Sequence, residues 1–302
     1  MILFVFQYLI CMILGLVGLA FVTLMERKVM SYMQLRKGPN KVGYMGILQP
    51  FSDAVKLFCK ELVFPYQSNY FMFMVGPMLS IILMMLIWLI YPSWEGYEVY
   101  YYSGLFLFCV LGVGVYGLFV SGWSGNSKYS VLGSLRSIAQ TISYEVSLII
   151  LILNYFILVE GLSIKSFYVW QESMWMGLVF LPLFLIWVVS CVAELNRTPF
   201  DFSEGESELV SGFNTEYSSG LFSLIFMAEY GFIFFISILN SFLFMGSGMI
   251  YLKSMLFLYL ILWMRATFPR FRYDKFMSMA WQVFLPVGLM FIIISLFLKS
   301  MF

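Results

Sequence analysis

The sequence predicts an all-α membrane protein, a bundle of eight transmembrane helices with an amphipathic surface helix between the first and the second. Three observations carry this. Of the 302 residues, 62% are hydrophobic and 20% aromatic, whereas a water-soluble domain is roughly 45 to 50% apolar. Eight apolar runs each have about the 20 residues that a helix needs to cross a hydrocarbon core of ~30 Å. The basic residues also divide unevenly between the two sides that eight crossings define.

The runs lie at about 2–25, 70–91, 103–123, 139–160, 174–193, 219–241, 249–265 and 280–301, within one integral membrane domain covering 1–302. The first, MILFVFQYLICMILGLVGLAFVTLM, has neither the basic n-region and cleavage site of a signal peptide nor the Arg- and Ser-rich character of a transit peptide, and reads as a retained membrane helix. Pro77, Pro182 and Pro286 fall inside or near the ends of three runs, which a bundle tolerates when neighbours satisfy the freed carbonyl. No internal repeat is present.

The connections after runs 1, 3, 5 and 7 carry Arg27, Lys28, Arg36, Lys37, Lys41, Lys56, Lys60, Lys128, Arg136, Arg197, Arg265, Arg270, Arg272 and Lys275. The opposite side has only Lys165, Lys253 and Lys299. Fourteen bases against three assign those four connections to the inner side of the membrane. The connection after the first run is about 40 residues long, more than a plain link requires. From Pro50 onward, Phe51, Val55, Phe58 and Leu62 share one helical face and Asp53, Lys56 and Lys60 the other. This predicts a helix lying along the membrane surface, either as an anchor or as the floor of a site for a lipid-like molecule.

The net charge of +1 gives no reason to expect nucleic acid or an anionic substrate. There is no histidine, and the four cysteines Cys11, Cys59, Cys109 and Cys191 have no short spacing. No metal site is expected, and any electron chemistry must belong to a partner. Seven alanines against 33 Phe and 22 Met suggest a T-rich, organellar coding sequence. Gly112, Gly114 and Gly117 spell a formal G-x-G-x-x-G inside an apolar run. Without a preceding strand it lacks the context of a dinucleotide site, and close packing of helices through small residues accounts for it better. The sequon Asn196-Arg197-Thr198 lies on the inner side and is discounted.

The acids are more informative. Glu145 and Glu229 lie within runs, where a charge at mid-bilayer costs ~2.5 to 3.5 kcal/mol. Neither run has an obvious nearby cation, so both read as groups that exchange protons, the alternative being a carboxyl hydrogen-bonded structurally in the bundle. Asp201 to Glu208 read DFSEGESE, and residues 194–216 hold six of the sixteen acids with one base, Arg197. The flanking FDF and LVSGF predict a folded, partly buried loop. RATFPRFRYDK, with Arg265, Arg270, Arg272 and Lys275, is its positive counterpart on the same side, and pairing between the two is expected.

At these residues the sequence resembles a known family. MERKV, RKGPNKVG, QPFSDAVKLFCKE, GWSGNSKY, QTISYEVSL, AELNRTPFDFSEGESELVSGFNTEYSSG and RATFPRFRYDK are similar, in order and over essentially the whole chain, to the signature segments of the NADH–ubiquinone oxidoreductase chain 1 family. Members of that family are mitochondrially encoded membrane subunits of respiratory complex I. The resemblance implies a multi-pass protein of the mitochondrial inner membrane whose acidic and basic loops face the matrix. It implies ubiquinone as substrate, no covalently bound cofactor and no redox centre on this chain, with flavin and iron–sulfur clusters on partner subunits. The implied partners are the other membrane subunits of complex I, the quinone-site subunits of its hydrophilic arm and membrane lipid, with no nucleic acid.

Carried over residue by residue, the quinone chamber or its entrance would involve Glu26, Arg27, Arg36, Phe51, Asp53, Phe58, Arg270 and Arg272. A proton path would run through Glu145, Glu194, Asp201, Glu204, Glu206 and Glu229. Without histidine, any relay would use carboxylates, tyrosines and water. A stand-alone proton or cation transporter is the competing reading, but such proteins often show two similar halves with broken helices, which this sequence lacks. A purely structural anchor for the hydrophilic arm is the third.

Overall fold

The computed structural model describes residues 2–91, 101–171, 174–203, 205–246 and 248–301, with the backbone alone for 2–5, 206 and 207. Every regular element among them is helical. In chain order these are α1 (Ile2–Met33), a 3-10 turn (Tyr44–Gly46), α2 (Gln49–Phe58), α3 (Tyr70–Trp88), α4 (Ser103–Ser124), α5 (Lys128–Val159), α6 (Ile164–Trp170), α7 (Met176–Val179) and α8 (Leu181–Glu194). There follow α9 (Glu206–Leu209), a 3-10 turn (Gly212–Asn214), α10 (Ser219–Phe244), α11 (Ile250–Thr267), α12 (Tyr273–Met279), a π-helical segment (Ala280–Phe284) and α13 (Leu285–Met301).

Seven of the eight expected runs coincide with helices long and apolar enough to cross a membrane by length and composition. The remaining one, 174–193, is divided. One turn, α7, ends at Phe180 (φ −123°, ψ 66°), and α8 starts afresh with Pro182 in its first turn. Proline has no N–H to give to a helix interior but suits a helix start, so the apolar run restarts instead of continuing. The other departures are at the ends. Helix α1 runs on to Met33, the last span starts at Tyr273, and α5 starts at Lys128, before the expected residue 139.

The early start of α5 has a local cause. Ser127 and Ser130 form a capping box, with reciprocal bonds of 3.3 and 3.2 Å, which satisfies two of the free donors at the helix start. Further along, Ser134 and Ser137 turn their hydroxyls back onto Val131 O (3.0 Å) and Ser134 O (2.8 Å). A serine-rich stretch of low hydropathy thus presents few unsatisfied groups and can be buried.

Helices α5 and α10 form the centre of the bundle: α5 packs on α4, α8 and α13, and α10 on α1, α3 and α11. Over half (56%) of the apolar window of each is buried, against 22% for α1 and 17% for the last span, which leaves those two at the periphery. Lipid chains are as apolar as leucine, so such helices hold together by close fit and hydrogen bonding more than by the hydrophobic effect. Both are present. A Cβ on Gly76 of α3 would lie 3.0 Å from the backbone of Ser121 on α4, so the two helices touch through their main chains. The Trp187 indole of α8 donates to Asn240 Oδ1 of α10 at 2.6 Å. Tyr144 of α5 stacks on Phe276 of α12 at 4.3 Å and donates to its carbonyl at 2.8 Å. Of the glycine triplet of α4, Gly117 packs on Leu79 and Ser80 of α3 as expected and Gly112 faces Glu145 of α5, whereas a Cβ on Gly114 would meet nothing within 4 Å.

Outside the spans, Tyr217 fastens the chain leading into α10. Its ring stacks on Phe73 at 4.1 Å, and its hydroxyl lies 3.2 Å from both Phe73 O and Ser121 O. Burial pushes this hydroxyl up to about 12, so it stays a donor at neutral pH.

Gly76→Val should force α3 from α4 and destabilise the protein by about 1 to 3 kcal/mol, read as a lowered thermal unfolding midpoint in detergent. Gly220→Ala, which meets Phe58 only at 3.9 Å, should leave the midpoint unchanged.

Candidate functional site

Among the described residues, most of the expected site residues gather at one end of the bundle, formed by the connections after α1, α4, α8 and α11, and in the adjoining interior. Three groups of side chains and one folded acidic loop can be distinguished.

The first is a buried ion cluster. Glu26, near the end of α1, is 5% exposed. Arg197 Nη2, from the turn after α8, binds its Oε2 at 3.0 Å, and Arg265 Nη1, from the last turn of α11, binds its Oε1. The Arg197 guanidinium also lies 4.6 Å over the Tyr230 ring of α10. One carboxylate thus joins three elements that are far apart in sequence, and a fourth is reached through a cation–π contact.

The second group holds α2. Arg27 Nη1 binds Asp53 Oδ2 at 2.6 Å, and Gln49 Nε2 donates to Asp53 Oδ1 at 3.0 Å. This turns the acidic face of α2 towards α1 and leaves Phe51, Val55 and Phe58 on the exposed side, with Phe51 edge-on to Phe21 of α1. The helix is amphipathic as expected but stops at Phe58, so Leu62 lies beyond it. Arg36 is exposed in the chain after α1 and forms no ion pair among the described residues.

The acidic loop is folded onto α12. Phe200 stacks on Phe276 at 4.5 Å, Phe202 lies 5.1 Å from the same ring, and the aspartate between them, Asp201, is 9% exposed. Arg270 Nη2 reaches Asp201 Oδ2 at 3.4 Å, the expected pairing between the acidic loop and the basic one. Arg272 instead binds its neighbour Asp274 at 2.9 Å. Glu208 is exposed and binds Arg136 of α5 at 2.5 Å. Glu204 and the side chain of Glu206 lie outside the described residues.

The third group lies within the helix bundle. A cavity of about 90 Å³ lies between α3, α4, α5, α8 and α10, with Glu194 and Glu229 in its wall beside Ser80, Thr141, Asn196 and Ser203. That is room for a few water molecules with polar partners. Glu194 Oε2 is buried without a hydrogen-bond partner among the described residues. Glu145 of α5 is close enough to act on Glu194 electrostatically. It occupies space left by the small residue opposite, since a Cβ on Gly112 would lie 2.8 Å from Glu145 Oε1.

Sequence reasoning brought these acids together but left their cations unmatched. It found neither the double clamp on Glu26 nor the polar cavity wall of Ser80, Thr141 and Ser203. The one available signal was Arg197, the single base in the acidic stretch. Small hydroxyl residues inside apolar runs gave none, since they are common in membrane helices.

Removing one partner of a buried ion pair leaves the other charge uncompensated, so Glu26→Ala should destabilise the protein by about 3 to 5 kcal/mol. Asp53→Asn breaks an exposed pair and should change stability by less than about 1 kcal/mol. Thermal unfolding of the two variants in the same detergent checks the contrast.

A family model described as NADH dehydrogenase matches residues 6–296. The chain is 50% identical over 301 residues to the NADH-ubiquinone oxidoreductase chain 1 of Aedes aegypti, covering 97% of this chain and 96% of that one. It is 48% identical over 303 residues to the protein of the same name from Locusta migratoria, covering 99% and 96%. Against that of Monodelphis domestica it is 44% identical over 312 residues, covering 98% of each.

Proposed function

The chain belongs to the NADH dehydrogenase family, and from that premise we propose that it is a core membrane subunit of respiratory complex I, which oxidises NADH and reduces ubiquinone. Its place is the mitochondrial inner membrane, with the loops that carry fourteen of the seventeen bases facing the matrix. Partner subunits of the hydrophilic arm hold the flavin and iron–sulfur clusters that deliver electrons. This chain contributes part of the chamber for the quinone headgroup and turns quinone reduction into proton movement.

The observation that carries this reading is the gradation of the acids. At the loop end, Glu26, Asp53 and Asp201 each face an arginine; beneath them Glu194 and Glu229 share a cavity, with Glu145 beside it. Paired carboxylates hold their charge, whereas neighbouring carboxylates in a poorly solvated interior, here Glu194 and Glu145, compete for protons. Reduction of ubiquinone takes two electrons and two protons. An anionic reduced quinone near Arg27 and Arg36 would draw those cations and raise the demand for protons on neighbouring acids. Sites that titrate together would pass the change on through Asp201, Glu204, Glu206, Glu194, Glu229 and Glu145. The exposed apolar side of α2, with Phe51 and Phe58, suits the entrance of a lipid-like substrate from the bilayer.

Glu194→Gln and Glu229→Gln at the matching positions of a bacterial relative remove a titrating proton while keeping shape. Each should assemble, and each should lower quinone reduction and proton translocation together, by roughly tenfold or more. Wild-type rates of both in either variant would remove that residue from the path.

A further inference from the structure

Gln140 of α5 is completely buried, and its amide nitrogen makes two hydrogen bonds, to Ala193 O at 2.8 Å and to Phe200 O at 2.9 Å. Those carbonyls stand one residue ahead of Glu194 and of Asp201. Between them the chain makes its whole passage from the last turn of α8 into the acidic loop. A primary amide has two N–H donors, so both are committed, one to each end of this segment. The turn carries Arg197, which is itself fixed to Glu26. On the same helix, Thr141 lines the cavity and Glu145 acts on Glu194. A single side chain therefore ties the backbone of two acids to the helix that bears a third.

We infer that Gln140 is a positioning residue, which sets the separation and facing of Glu194 and Asp201 and so the step by which a proton passes between the acidic loop and the intramembrane cavity. The inference rests on the proton-path reading given above. Proton transfer requires donor and acceptor, or a water between them, within hydrogen-bond reach. Glu194 is the last residue of α8 and Asp201 lies outside any helix. Helix geometry alone therefore does not fix their spacing; the two bonds of Gln140 hold both ends of the segment, beside the Phe200 N–H to Arg197 O bond at 2.8 Å within it and the Phe271 N–H to Pro199 O bond at 3.1 Å. An apolar side chain there would leave each carbonyl with only its local backbone donor, Asn196 N–H on Ala193 O at 3.2 Å and Phe202 N–H on Phe200 O at 3.0 Å, and the segment, untied from α5, would relax where the acids attach to it. The Gln140 Oε1 atom is buried without a hydrogen-bond partner among the described residues, so the amide is held by its donors alone.

The test is Gln140→Leu and Gln140→Glu at the matching position of a bacterial relative, measured in the assembled complex per mole of complex. The readouts are kcat and KM for a water-soluble short-chain ubiquinone, proton translocation, and the solvent deuterium isotope effect on quinone reduction. Gln140→Leu should lower kcat by roughly tenfold with KM unchanged and the isotope effect raised, because the proton step becomes limiting. Gln140→Glu, which when protonated keeps one donor, should fall between that variant and the wild type. A merely structural tie would lower the amount of complex but leave kcat per complex and the isotope effect as in the wild type. Either variant assembling with wild-type kcat and isotope effect overturns the inference, as does failure of both to assemble. Glu194→Gln is measured in parallel. If it is impaired while the Gln140 variants are not, only the positioning role falls; if it is wild type, its place on the path falls as well.

Discussion

A carboxylate in a poorly solvated interior has two stable fates: a cation is held against it, or it takes up a proton. The architecture of this protein follows from how it distributes those fates. At the loop end, arginines from the turn after α8 and from the end of α11 close on Glu26, and a third from the next loop closes on Asp201. Deeper in the bundle, Glu194 and Glu229 line a mostly apolar cavity, and Glu145 is close enough to act on Glu194. The ion cluster fixes α1, α11 and the turn after α8 relative to one another, while the cavity lies between α3, α4, α5, α8 and α10.

The second constraint is that such a cavity must be built without a hydrophobic force between helices. Glycine and serine supply the means. Gly76 lets α3 and α4 meet backbone to backbone, and Gly112 leaves the space that the Glu145 carboxylate fills. Serines along α5 bond to their own helix and so enter the interior without demanding partners there. The same kind of small residue that allows close contact elsewhere, Gly114, lines the cavity of about 90 Å³ here.

Much of this was legible in the sequence. Apolar length gave seven of the spans, because the bilayer thickness is an external standard against which a run can be measured. The division of the run at 174–193 was not legible, since Phe180 and Leu181 are as apolar as their neighbours and only Pro182 hints at a restart. Nor was the early start of α5, where hydroxyl side chains depress hydropathy while satisfying themselves within the helix. The acids of the site were all in view as exceptions to an apolar composition. Their partners were not. Glu26 and Arg197 are separated by 171 positions, and no local pattern says which of several inner arginines will meet which acid. Gln140 was invisible for a similar reason, because an amide earns notice only through the carbonyls it reaches.

The length of α5 has a geometric consequence. Its 32 residues extend about 48 Å at ~1.5 Å per residue, against a hydrocarbon thickness of about 30 Å. Even with a tilt of some 20 to 40°, the helix outreaches the hydrocarbon and projects at the end where Arg136 grips Glu208. It therefore serves as a ruler of depth. Glu145 stands 14 residues, about 21 Å, from the far end at Val159, while Gln140 is five residues nearer the surface. A small axial slide of this one rod would change the depth of the Gln140 clamp, the cavity wall and the Glu145 carboxyl together and by the same amount.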